Sequence, residues 1–122
     1  MARTRWTLTV RNGPHVERVR CETLDAAVEA MEHRMDELAP TVRRQAIQVF
    51  RRRFDAVRQV AVRAELKGPG GVLGRVTGGV DLRGDGSAEA YLGRFRRSLV
   101  ELRPGETPYE GLRRSLAEVS TG

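Results

Sequence analysis

Between Leu24 and Leu38 the apolar residues Leu24, Ala27, Val28, Met31, Met35 and Leu38 fall at i, i+3, i+4, i+7, i+11 and i+14. An α-helix stacks that spacing on one side, because its turn brings every third or fourth residue back to the same face. On both flanks the period drops to two. Trp6, Leu8 and Val10 alternate with Thr7, Thr9 and Arg11, and Val60, Val62, Ala64 and Leu66 alternate with Ala61, Arg63 and Glu65. That is the pattern of strands with one face buried. A chain that changes period in this way packs helix on sheet, so the fold class is α+β. At 122 residues it forms a single domain, 1–122.

Turn chemistry sets the expected order. Asn12-Gly13 marks a hairpin, slightly lengthened by Pro14, with a return strand from His15 to about Glu22 that turns Val19 and Cys21 to one face. Thr23 is placed to cap a helix, with Asp25 in its first turn. Pro40 is expected to end that helix, because the residue before a proline avoids the α region. Residues 41–55 then read as a second helix, with Val42, Ala46, Val49, Phe50 and Val57 sharing its apolar face, giving way to strand near Arg58. One strand through this whole region is the competing reading.

Lys67 to Gly71 reads as a turn, and Val72 to Arg83 as a strand. A three-residue loop at Gly84-Asp85-Gly86 would pair Leu82 with Ala88 and Val80 with Ala90, and set Tyr91 over the bare backbone of Gly79. The strand that follows, Ala88 to about Arg103, is expected to bend near Gly93. Pro104-Gly105 breaks it. Thr107-Pro108-Tyr109-Glu110 then starts a helix with a capping box and the stripe Tyr109, Leu112, Leu116 and Val119. The expected architecture is an antiparallel sheet of about five strands with two or three helices packed on one face, in the order ββααβββα. The opening hairpin and helix, on Trp6, Gly13, Thr23 and Ala27, resemble the arm-binding domains of tyrosine integrases and the HicB-type antitoxins. The resemblance covers about thirty residues, reaches only the order of elements and carries no functional residue across.

Charge is the other strong feature. The formal net charge is +6, and of the 22 basic residues all but Lys67 are arginine. A GC-rich genome favours arginine codons; a binding role for the guanidinium fork would be phosphate or carboxylate recognition. Seven arginines and one aspartate lie between Pro40 and Arg63, directly after an acidic stretch, 17–37, with seven acids and three arginines. If Pro40 turns the chain back, the acidic helix lies beside the basic one and neutralises part of it. The leading expectation is a non-enzymatic protein that binds a macromolecule or assembles with itself, as a homo-oligomer. The alternative is an arginine-mediated nucleic-acid-binding module. In either case the candidate contacts are Arg43, Arg44, Arg51, Arg52 and Arg58 on the second helix, and Arg94, Arg96 and Arg97 on the last strand.

Specific chemistries are hard to find. The glycine-rich Gly68 to Gly74 lacks the Lys-Ser or Lys-Thr and the helix start of a phosphate loop. The acidic spacing from Asp81 to Glu89 has Arg83 and Leu92 where a calcium loop needs oxygen ligands. Arg83-Gly84-Asp85 has meaning only in a secreted protein. His15, His33 and Cys21 are scattered, with no zinc spacing and no nucleophile–base pattern. The expectation is therefore no enzyme, no cofactor and no metal. A single cysteine, no apolar run of membrane-spanning length and an N-terminus without a signal-peptide core point to the cytoplasm and to no membrane partner.

Overall fold

The computed structural model describes residues 5–50, 60–71, 74–93 and 96–121. The elements run β1 (Trp6–Asn12), β2 (His15–Cys21), α1 (Leu24–Phe50), β3 (Val60–Gly71), β4 (Gly74–Arg83), β5 (Ala88–Leu92), β6 (Ser98–Leu99) and α2 (Pro108–Thr121). All strand pairs are antiparallel, and the sheet order is β2-β1-β3-β4-β5-β6. The α+β class holds, with six strands and two helices. The order is ββαββββα, not ββααβββα.

The difference arises at Pro40, which lies inside α1. Proline removes one backbone hydrogen bond and crowds the preceding turn, a cost of about 3 kcal/mol in a helix interior. Two features offset it. Pro40 faces solvent, so the carbonyl it leaves unpaired is open to water. The apolar stripe also continues in phase across it: Val42 follows Leu38 by four residues and is buried beside Met35. Ending the helix at Pro40 would expose Val42. The expected apolar contacts of Ala46, Val49, Phe50 and Val57, and the change of period near Arg58, lie outside the described side chains and residues.

An unbroken α1 overturns the fold-back of acidic on basic helix. The acids from Asp25 to Glu37 and the first two arginines of the basic stretch, Arg43 and Arg44, follow one another along one rod about 40 Å long, and the arginines from 51 to 58 lie outside the described residues. The acids pair elsewhere: Glu17 of β2 with Arg34 at 2.6 Å, and Asp25 with Arg113 of α2 at 3.0 Å.

Both helix starts are built as their sequences dictate. Thr23 Oγ1 accepts from Ala26 N–H at 3.1 Å. Thr107 and Glu110 form a reciprocal capping box at 3.0 and 3.1 Å. The core lies between the helices and one face of the sheet. It joins Trp6, Leu8 and Val10 of β1, Ala27, Met31 and Met35 of α1, Val62, Ala64 and Leu66 of β3, Val80 and Leu82 of β4, and Leu112 and Leu116 of α2. Val119, expected on the buried stripe of α2, is half exposed.

Three further boundaries differ from expectation. The first hairpin is tight, closed by Asn12 opposite His15. β3 runs on through the expected Lys67–Gly71 turn, with a register irregularity between Lys67 and Gly70. Here Gly68 is a contact residue: a Cβ on it would stand 2.5 Å from the Trp6 ring. The long final strand is two short ones, divided at Gly93, whose φ of +93° takes the chain out of the sheet. The expected bend is therefore there, and it is sharp enough to end the strand.

Candidate macromolecule-binding face

Both helices pack on the same face of the sheet, so the other face is uncovered by α1 and α2. Strand alternation decides which side chains it carries. Thr7, Thr9 and Arg11 of β1 point away from the buried Trp6, Leu8 and Val10. Register then aligns three rows across the sheet. One runs Val16, Arg11, Arg63, Asp81, Glu89. The next runs Arg18, Thr9, Glu65, Gly79, Tyr91, Leu99, and the third Arg20, Thr7, Lys67, Thr77.

The rows divide the face electrically. Over β4 and β5, Arg83 is paired with Glu89 at 2.8 Å. Asp81 accepts a two-pronged bond from Arg63, Nε to Oδ1 at 2.6 Å and Nη2 to Oδ2 at 3.0 Å. Hydrogen bonding to Asp81 holds the Arg63 guanidinium even more firmly protonated than usual. Over β2, β1 and β3, Arg11, Arg18, Arg20 and Lys67 make no ion pair among the described residues. Within this half Glu65 is the acid in their rows, and Asp81 and Glu89 at the far end of the Arg11 row are bound by Arg63 and Arg83. This half is a basic surface with the hydroxyls of Thr7 and Thr9 between the arginines.

At the centre of the face Tyr91 lies flat on β4. A Cβ on Gly79 would stand 2.6 Å from its hydroxyl and 2.3 Å from the Ala64 carbonyl, so only glycine admits the ring. The Arg97 guanidinium covers the ring at 4.9 Å from its centroid, with Arg63 at 5.9 Å. Tyr91 is 2% exposed, and its hydroxyl has no hydrogen-bond partner among the described residues. Burial, then the nearby Asp81 and Glu65, push its pKa up to about 12.

The four candidate arginines that are described, Arg43, Arg44, Arg96 and Arg97, lie in two separate places. Arg43 and Arg44 are exposed on α1, in the helical layer; Arg43 packs by Gly86 at the β4–β5 turn, and Arg44 reaches Thr41 Oγ1 at 3.4 Å. Arg96 and Arg97 are exposed beyond Gly93, and Arg97 reaches the open face over the Tyr91 ring. Arg51, Arg52, Arg58 and Arg94 lie outside the described residues. Arg11, Arg18 and Arg20 were not among the candidates, because they are spread over two strands and make no run. Their signal is the alternation that sets Val19, itself 47% exposed, and Cys21 on the helix side of β2 and Arg18 and Arg20 on the other.

The sheet edges are poor places for a second copy to pair. β6 is two residues long. β2 is longer, but antiparallel self-pairing centred on Glu17 or Arg18 sets like charges directly opposite, and centring on Val19 sets Arg18 opposite Arg20. Each arrangement is destabilising.

Two hollows hold the histidines. A shallow groove of about 530 Å³ along α1 is lined by Ala26, Glu29, Ala30, Glu32, His33 and Asp36. A smaller one of about 300 Å³ has His15, Glu17 and Arg34. His33 Nε2 lies 3.6 Å from Glu37, and no His, Cys, Asp and Glu cluster able to hold a metal occurs among the described residues. Burial pushes the Cys21 thiol pKa up, away from reactivity. No described helix is long and apolar enough to cross a membrane. No family model, curated protein or solved structure matches the chain, so the face is read from its own chemistry.

Proposed function

We propose that the protein is a small, non-enzymatic, cytoplasmic module that binds an acidic macromolecule on the uncovered face of its sheet. The observation that carries this is the charge of Arg11, Arg18, Arg20 and Lys67 on the β2–β1–β3 half, which no ion pair among the described residues neutralises. A surface of one sign attracts partners of the other and raises their encounter rate. Replacing Arg11, Arg18 and Arg20 together by glutamate tests it. The variant is expected to leave a heparin column at much lower salt than the parent, with an unchanged circular dichroism spectrum. Elution at the same salt would place the binding elsewhere.

Self-assembly is a second reading, favoured by one observation. The groove along α1 presents Glu29, Glu32 and Asp36, opposite in sign to the sheet face. One copy's helix could meet another's sheet, a head-to-tail contact that builds homo-oligomers or open chains. Light scattering across a concentration series at low salt decides this, and a strict monomer throughout would remove it.

A further inference from the structure

Resting on the sheet-face reading above, we infer that its acidic partner is a nucleic acid, held by the phosphodiester backbone and not read through its bases. A protein interface of useful strength is anchored by buried apolar and aromatic side chains at its centre. Among the described residues the β2–β1–β3 half offers only Val16 and Val60 as exposed large apolar side chains, both at its margin. Protein–nucleic acid interfaces are instead polar and strongly positive.

The arrangement of the charges fits a polymer. Successive rows each present one arginine of the first hairpin: Arg11, then Arg18, then Arg20, with Lys67 joining the last row. Rows on one face are two residues apart, about 7 Å along the strand, so the cations form a ladder of regular step. A polyester with one anion per repeat can meet every rung. The threonine hydroxyls between the arginines, Thr9 beside Arg18 and Thr7 beside Arg20, can donate to phosphate oxygens as well. Base readout lacks its usual instrument. Stacking needs an open aromatic ring, and the one on this face among the described residues, Tyr91, is buried under Arg97.

The test is fluorescence anisotropy with a labelled single strand of about 20 nucleotides and mixed sequence, starting at ~50 mM salt, where backbone contacts are strongest. Four cations meeting four phosphates give a log–log salt slope of about −3, at roughly −0.7 per contact. Arg11→Gln, Arg18→Gln and Arg20→Gln together should bring the slope to about −1 and weaken binding at least about tenfold. Arg43→Gln with Arg44→Gln, in the helical layer, should change neither.

Heparin and poly-glutamate are the parallel probes. Binding of the oligonucleotide with the expected slope, largely insensitive to base sequence, upholds the inference. Binding of poly-glutamate as tightly as the oligonucleotide overturns it and leaves the sheet-face reading standing, with an acidic protein as partner. No binding of any of the three overturns both. A slope unchanged in the triple variant, or lost in the Arg43 and Arg44 variant, also overturns it, as does a tenfold preference among base sequences.

Discussion

Tyr91→Phe is expected to stabilise the protein, although it removes a polar group from a central position. The hydroxyl is buried without a partner among the described residues. Leaving such a group unpaired costs about 1–3 kcal/mol. Removing one oxygen leaves a void of ~15 Å³ at most, worth ~0.4 kcal/mol at 24 cal/mol per Å³. The ring itself stays, with its seat on Gly79 and the guanidiniums of Arg97 and Arg63 above it. The balance is a gain of about 1 kcal/mol at neutral pH, read as a higher urea midpoint with an unchanged slope.

The same substitution changes the alkaline limb. Burial first, then Asp81 and Glu65, raise the Tyr91 pKa from 10.0 to about 12. Burial, with Asp36 and Glu32, does the same for Tyr109. Below pH 10 both the folded and the unfolded chain keep these two protons, and neither tyrosine contribution is lost. Between pH 10 and about 12 the unfolded chain releases them first, so stability falls. Tyr91→Phe removes one of the two tyrosine contributions, and the tyrosine part of the fall above pH 10 should be about half as steep. A loss of more than about 1 kcal/mol at pH 7 would show that the hydroxyl is satisfied, and an unchanged alkaline limb would show that it ionises freely in the fold. Either result refutes the reasoning.

Three further outcomes are expected. Pro40→Ala should stabilise by about 1–3 kcal/mol, since an exposed alanine restores a helix hydrogen bond; a lower urea midpoint would mean that proline at this position shapes the helix in a way the fold needs. Gly79→Ala should destabilise by about 3 kcal/mol or more, because its Cβ would stand 2.3 Å from the backbone carbonyl of Ala64. Thermal unfolding of this variant at the parental temperature would contradict that contact. Glu106 accepts from the Arg114 guanidinium and from Arg103 N–H, which lower its carboxyl pKa from 4.5 to about 2. Its stabilisation is complete above pH 4.5 and lost as pH falls through about 2. Glu106→Gln should therefore cost stability at pH 7 and much less at pH 2, as denaturant midpoints at the two values would show.

Local pattern carried the reading where neighbours in sequence are neighbours in space. The caps at Thr23 and Thr107, the pairing of Leu82 with Ala88 and of Gly79 with Tyr91, and the bend at Gly93 all follow from short-range chemistry. Pro40 misled because its local preference was weighed without the burial of Val42, which depends on the whole core. Lys67–Gly71 misled for a similar reason: glycine there serves the Trp6 ring packed against it, and Trp6 is 62 positions earlier than Gly68. The candidate face was hidden because β1 is joined to β3, a pairing that spans the entire helix. Without it Arg11 and Arg63 have no reason to be adjacent. Runs of arginine drew notice, while the aligned arginines were scattered along the chain.

That one pairing also makes the molecule a natural two-part kit. β1, β2 and α1 are joined by local turns, and β3 to β6 with α2 by another local series; the sheet is continuous only because β1 zips to β3. Residues 1–50 and 60–122, produced as separate chains, should find each other through six aligned residue pairs and a shared core. Fused to the halves of a split fluorescent reporter they should restore its signal, and Leu8→Asp at the seam should abolish it. Evolution could have brought such halves together, and an engineer could part them along the same line.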